Sequence, residues 1–427
     1  MLVYGKKRNF AAVKRFLVHL LYICVPVLLC LTGASCRDSE DEEQIPRPGK
    51  PGKKLARTLI IYMAAENSLS SFVDYDSLEI AQGLSTVGVD HRVVVYIDDT
   101  KSSRLCVGTR DEPLQETKTY SRNICSTDSA DMESVLSEIV TTYPADHYGL
   151  VLWSHASGWV PASGSKNVRR TFGVDNGLRH STNVGPVMEI ATLAHVLSHL
   201  PHFDYVFFDA CFMQCVEVAY QLRHVTDYVI GSPAEIPGYG APYDNLLSAL
   251  CQISEGDNLP NMKNVVNGYA DYYDSGGGRP YRGAELSLVR TSALEALAAA
   301  TAPHLQRLFA DTTTPDCSAV QRFYYNPSQY TEYYDLQNLM YHHLSAEEYS
   351  DWLSAFMAAV PLSHLSSSWL SMYEDPRTGK VCHVKEPEYT GAVSVFVPSD
   401  ILAQRGYVTA YHAFDWYKDC GLSSTGW

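Results

Sequence analysis

Two residues in this chain could do covalent chemistry, and both follow short apolar runs. YGLVLW leads into Ser154-His155-Ala156-Ser157-Gly158-Trp159, and YVFF leads into Asp209-Ala210-Cys211. A thiolate attacks carbonyl carbon, and a nearby imidazole can take up and return the proton, so Cys211 and His155 brought together could cleave an acyl bond. Taken singly, each has a plainer reading: a cysteine at a strand end is commonly a small buried hydrophobe, and a loop histidine often does nothing. The pair matters because both residues sit just past runs that read as neighbouring strands. FMQCVEVAYQLR after Cys211 reads as a helix starting near Phe212. That places the thiol at a helix start, where backbone N–H groups and the helix dipole favour the thiolate.

The elements that must position this pair are legible in the apolar pattern. Leu59–Met63, Arg92–Ile97, Tyr148–Trp153, Tyr205–Phe208 and Tyr228–Ile230 are β-branched or aromatic runs. Helical spacing separates the second from the third (Met132, Val135, Ile139, Val140) and the third from the fourth (Ile190, Leu193, Val196, Leu197). Continuous apolar strands alternating with amphipathic helices imply a mostly parallel sheet flanked by helices, which holds ligands at the carboxyl ends of its strands. The α/β part is expected over 55–250. A mainly helical C-terminal subdomain is expected over 251–427, with helices over Met262–Tyr273, Ser292–Leu308 and Ala346–Val360 and one late strand, Ala392–Val397.

Several blocks, taken in order, resemble the clostripain-like cysteine peptidases of the caspase-like group: IIYMAAENSLS, YPADHYGLVLWSHASGW, DYVFFDACFMQCVEVAYQLRHVTDYVIGSPAEIPGYGAPYD and YTGAVSVFVPSD. The 56 positions from His155 to Cys211 also sit near the roughly 50 of caspases. The resemblance implies a caspase-like α/β sandwich and an endopeptidase that cleaves after Arg or Lys. It makes His155 the base and acid, Cys211 the nucleophile, and the N–H groups of residues 156 and 211 the oxyanion hole. It implies Asp209 as the carboxylate of the S1 pocket, where the plainer reading is a cap for the next helix, and Glu235 as a second acidic candidate. Two departures stand out. Ala156 replaces the family's glycine, which matters only if the backbone there needs φ > 0. Cys215 stands where a small residue is usual, either as a core thiol or as an oxidation partner for Cys211.

Between the pair, Val160–His180 has neither helical nor strand period and reads as an exposed loop. It contains Lys166, Arg169 and Arg170, which an Asp209-floored pocket would accept. Relatives mature by a cut in the corresponding stretch, so self-activation within 160–180 is expected.

The chain opens with five bases and an apolar run to Ser35, which reads as an export signal over 1–35 that resembles a lipoprotein signal, with Cys36 as the lipidated residue. An acidic and Pro/Gly tether over 36–54 follows, similar to the surface-export signal of Bacteroidetes lipoproteins. The expected location is therefore the outer membrane, tethered by lipid and facing outward. An exported chain also admits a Cys106–Cys125 bridge. The 427 residues carry a net charge of −15, and past Ser35 there are 28 bases against 48 acids, a surface that repels nucleic acid. Expected partners are protein or peptide substrates. No cofactor or metal is implied: no Cys or His spacing completes a zinc site and no acidic loop has the EF-hand pattern, although some relatives use calcium. The competing reading is an inactive caspase-like surface lipoprotein that binds or adheres, its 29 tyrosines serving to stack on ligands.

Overall fold

The computed structural model describes residues 52–159, 171–175, 177–183, 185–276, 283–323, 333–366, 368–375, 380–385 and 389–427. Its first strand, β1 (Leu55–Ala65), sends alternate residues to opposite faces: Ile60, Tyr62 and Ala64 to one apolar cluster, Leu59, Ile61 and Met63 to the other. A strand covered on both sides has no face to show to water, so LIIYM is apolar throughout. In chain order β2 (His91–Asp99), β3 (Ser103–Gly108), β4 (Gln115–Thr119), β5 (Ala145–Trp153), β6 (Tyr205–Asp209), β7 (Tyr228–Gly231) and β8 (Glu285–Arg290) follow. Then come β9 (Tyr333–Asp335), β10 (Leu362–Leu365), β11 (Ser368–Asp375), β12 (Lys380–Lys385) and β13 (Ser394–Phe396).

Nine strands form one sheet in the order β10-β8-β7-β6-β5-β1-β2-β3-β4. Its centre, β7-β6-β5-β1-β2, is parallel. Antiparallel strands close both sides, β3 and β4 on one and β8 and β10 on the other. β8 and β10 therefore bring chain from beyond residue 250 into the same sheet.

The α-helices among the described residues are α1 (Val73–Gly83), α2 (Ser129–Thr142), α3 (Ile190–Ser198), α4 (Val216–Gln221), α5 (Tyr243–Cys251), α6 (Leu259–Asp274), α7 (Leu294–Leu308), α8 (Leu336–His343), α9 (Ala346–Ala359) and the short α10 (Asp400–Gln404), α11 (Tyr407–Tyr411) and α12 (Asp415–Asp419). α1, α5 and α6 cover one face through Val73, Ile80, Leu246, Leu250, Val265 and Tyr269. α2, α3, α4 and α7 cover the other through Met132, Ile139, Leu193, Val218 and Leu297. The starts follow local chemistry: Asp128 caps α2 by accepting the N–H groups of Ala130 and Asp131, and Ser345 with Glu348 forms a capping box on α9.

The expected helix after Cys211 begins four residues late. Phe212 has φ 61°, and the N–H groups of Phe212 and Gln214 pair with the carbonyls of Ala234 and Ser232, so 212–215 lies as an extended ribbon beside the β7 end. α4 then has six residues and starts at Val216. Cys211 is thus not at a helix N-terminus, and the dipole argument for its thiolate does not apply. Cys106 and Cys125 are free thiols rather than a bridge. Residues 1–35, Cys36 and most of the 36–54 tether lie outside the described residues. Among the described residues no helix is long and apolar enough to cross a membrane.

Candidate active site

Sheet register sets the site. Trp153 at the end of β5 pairs with Asp209 at the end of β6. His155 and Cys211, each two residues further on, leave adjacent parallel strands at the same height. The side chains of Tyr205 and Phe207 point to the α5/α6 face. By strand alternation Asp209 points there too.

The His155 loop is braced from β1. Ser154 Oγ donates to the Ala64 carbonyl at 2.6 Å, and Asn67 Nδ2 donates to the carbonyls of Ala64 and Val174 at 2.8 and 2.9 Å. His155 Nε2 lies 2.8 Å from Ser68 Oγ. Asn183 holds that serine in place: its Oδ1 accepts the Ser68 N–H and its Nδ2 donates to Ser68 Oγ, both at 3.1 Å. The hydroxyl keeps its own hydrogen and a second lone pair, so it can pair with either tautomer of the ring.

Cys211 is half-buried, and its Sγ accepts the Ile236 N–H at 3.4 Å. Burial pushes this thiol up to about 12, the charges of Glu235 and Asp209 push the same way, and the Ile236 N–H opposes them. The resting group is a thiol. Glu235, expected as a substrate contact, is half-buried in the segment that leads to Ile236, and its charge acts on this sulfur. Cys215 faces away into the core and donates its thiol to the Phe212 carbonyl at 3.0 Å.

Ala156 is buried and has no positive φ, so alanine in place of glycine imposes no strain and keeps its N–H. The glycine that the loop does require is Gly158, with φ 71° and no room for a side chain: a Cβ would meet Tyr333 Oη at 2.4 Å and Cys215 Sγ at 3.0 Å.

Asp209 is buried behind the thiol. Its Oδ2 accepts the Ala241 N–H at 3.0 Å and the Tyr243 hydroxyl at 2.9 Å, while Oδ1 has no partner. Burial raises its pKa from 3.8 to about 6 against the pull of those two hydrogen bonds. It does not cap the following helix. Gly240, at φ 59°, leaves space for the carboxylate that a Cβ would take, 2.7 Å from Oδ2.

Lys166, Arg169 and Arg170 lie outside the described residues. The chain on either side of them is tied together: Ser157 N–H donates to the Thr171 carbonyl at 3.2 Å, and Gly173 N–H to the His155 carbonyl at 2.8 Å. Further along, Arg179 inserts its guanidinium among buried acceptors, 2.6 Å from Asp98, 2.7 Å from the Asp99 carbonyl, 2.7 Å from Ser103 Oγ and 3.3 Å from Glu66. Glu66, Asp98 and Asp175 are the one group among the described residues with metal-ligand spacing, and this arginine already supplies a cation to Glu66 and Asp98.

Sequence reasoning missed Ser68, Asn183, Arg179 and two acids of α1, Asp76 and Glu79. For Asp76 a signal was present. With Val73, Ile80 and Gly83 it forms the buried stripe of α1, so it is a carboxylate in a core position.

A thiol and an imidazole at the carboxyl ends of adjacent parallel strands, over a buried carboxylate, define a cysteine peptidase of caspase-like architecture. The chain belongs to the clostripain family, whose profile matches residues 61–426. It is similar to a secreted cysteine protease from Bacteroides thetaiotaomicron solved with an irreversible peptide inhibitor: identity 30%, TM-score 0.73, 86% of this chain and 99% of that one covered. It is also similar to an inactive zymogen protease from Parabacteroides distasonis, with 27% identity, TM-score 0.70, and 86% and 99% of the two chains covered. Among curated proteins no relative matches the chain.

Proposed function

We propose that the protein is an exported endopeptidase that cleaves after Arg or Lys through a Cys211–His155 dyad. The observation that supports this reading is the Trp153–Asp209 register: His155 and Cys211 each follow two residues past it on adjacent parallel strands, next to the buried Asp209 carboxylate, whose Oδ1 has no hydrogen-bond partner. A buried anion without a countercharge is costly, and a cationic side chain entering the pocket relieves that cost.

Catalysis then follows from these groups. His155 takes the Cys211 proton as the sulfur attacks the scissile carbonyl. The N–H groups of Ala156 and Cys211 hold the oxyanion, and His155 returns the proton to the leaving amine. Water, deprotonated by His155, releases the acyl group from sulfur. Because the Asp209 charge helps to keep Cys211 a thiol, a substrate cation that neutralises Asp209 also eases thiolate formation.

Self-activation by a cut at Arg169, Arg170 or Lys166 is part of the same reading. The zymogen state of the Parabacteroides relative supports it, as does the tied ribbon around this stretch. The secreted state of the Bacteroides relative supports export, with Cys36 as the lipidated first residue of the mature chain. Purified protein assayed on matched peptides ending in Arg, Lys, Asp or Asn should cleave only the basic pair. Cys211→Ala and His155→Ala should abolish turnover while melting as wild type does. Full activity in either variant, or cleavage of the Asp peptide as fast as the Arg peptide, overturns the reading.

A further inference from the structure

Asp76 has no explanation in the fold. It lies on the buried stripe of α1, and neither of its carboxylate oxygens receives a hydrogen bond of proper geometry. Such a group costs several kcal/mol in an apolar setting unless something charged meets it.

Its surroundings show what that would be. Glu79, one turn further along α1, accepts the N–H of Tyr243 at 3.1 Å, while the hydroxyl at the other end of Tyr243 donates to Asp209 at 2.9 Å. Tyr243 therefore links α1 to the end of β6, and Asp76 on α1 lies within electrostatic reach of Asp209. The Tyr269 hydroxyl, beside that of Tyr273, is within electrostatic reach of Asp209 and Cys211. Three buried carboxylate oxygens here thus lack a hydrogen bond of proper geometry: both oxygens of Asp76 and Oδ1 of Asp209. All three can only accept once the acids are ionised.

We infer that Asp76 is a second carboxylate of the S1 pocket, sharing the substrate side chain with Asp209 and making the pocket select arginine over lysine. The inference rests on Asp209 being the S1 carboxylate. A guanidinium presents five N–H donors in a planar fork and can face two carboxylates at once, whereas an ammonium is a compact charge with three donors.

In the empty site burial raises Asp76 to about 9, with Asp209 and then Glu79 pushing the same way and the Trp153 indole opposing. The other titratable groups within electrostatic reach of Asp76, Glu79 or Asp209 are Tyr75 from α1, Asp244 and Tyr243 from α5, Tyr269, Tyr272 and Tyr273 from α6, and Cys211. At neutral pH Asp76 therefore holds a proton that an arriving guanidinium displaces to the buffer.

The test compares wild type, Asp76→Asn and Asp76→Ala on two peptides that differ only in Arg or Lys before the scissile bond. It adds calorimetric binding of agmatine, a free guanidinium, in buffers of different ionisation enthalpy. Asp76→Asn should lose on the order of a hundredfold in kcat/KM for the Arg peptide and far less for the Lys peptide. Agmatine should release close to one proton from wild type at neutral pH and none from the variant. Asp76→Asn should melt at or above the wild-type temperature, because it removes a buried acid with no partner. An unchanged Arg-to-Lys ratio with unchanged proton release in the folded variants overturns the role of Asp76 alone. A wild type that cleaves after neither Arg nor Lys overturns the Asp209 reading and this inference with it.

Discussion

Replacing Asp209 by Asn keeps the shape of the strand end and removes its charge. The native Oδ2 accepts from both Ala241 N–H and Tyr243 Oη, and one carboxamide oxygen can take both bonds, so the variant should fold. Removing one member of a buried charge pair costs roughly 2–5 kcal/mol, or roughly 30- to 5,000-fold in kcat/KM for an Arg substrate. The pH profile carries more information. Asp209 titrates near 6 in the empty site, so wild-type kcat/KM for Arg should fall as the pH drops below about 6, and the fall should be shallower in the variant, where protonation of the His155 base alone remains to cause it. Stability should move the other way. A carboxylate raised from 3.8 to about 6 contributes stability that is full below its unfolded pKa and is lost as pH rises through 6, roughly 3 kcal/mol by neutrality. The melting temperature of Asp209→Asn relative to wild type should therefore climb between pH 4 and pH 7. Because the Asp209 charge helps to hold the Cys211 thiol high, the pH midpoint for iodoacetamide labelling of Cys211 should also shift downward. Undiminished Arg cleavage by the folded variant, with the acid limb intact, would refute the reasoning.

Incubated wild type should become two fragments through a cut after Lys166, Arg169 or Arg170 and should elute as one species, because the ribbon on either side stays paired; Cys211→Ala should remain one chain, and its cleavage at the same bond without added protease would contradict self-processing. Asn183→Ala removes the two hydrogen bonds that hold Ser68 against His155 and should lower kcat/KM several-fold at an unchanged melting temperature. Wild-type activity in the folded variant would leave the contact purely structural. Gly158→Ala adds a Cβ at φ 71° against Tyr333 and Cys215, and should lower unfolding free energy by at least about 1–3 kcal/mol in denaturant titration. A variant as stable as wild type would mean that the loop does not need this glycine.

Much of the sheet could be read from the chain because its central strands are buried on both faces. LIIYM, RVVVYI and YVFF have no polar alternation to confuse with a helix. The edges could not be read. β4 is QETKT, mostly exposed, and β3 mixes Ser and Arg with Leu and Val because it is only partly covered at the sheet's edge. The helical spacing of FMQCVEV misled because tertiary bonds override it: Gln214 Nε2 donates to the carbonyl and hydroxyl of Ser287 at 2.9 and 3.0 Å, holding the segment extended. The positions of His155 and Cys211 were legible because equal distances past two parallel strands become equal heights. Asp76 and the Asn183–Ser68 contact were not, since each is defined by a neighbour far away in sequence.

The central claim is that Cys211 is the nucleophile and that His155 activates it in a pocket that selects cations. An arginyl chloromethylketone, its adduct located by peptide mass spectrometry, tests this most directly. One equivalent should attach to wild type, on Cys211 alone among the cysteines, and cleavage activity should fall in proportion. Labelling should be slowed by His155→Ala and by Asp209→Asn. Labelling spread over several cysteines, or on Cys211 at the same rate in all three proteins, would contradict the account.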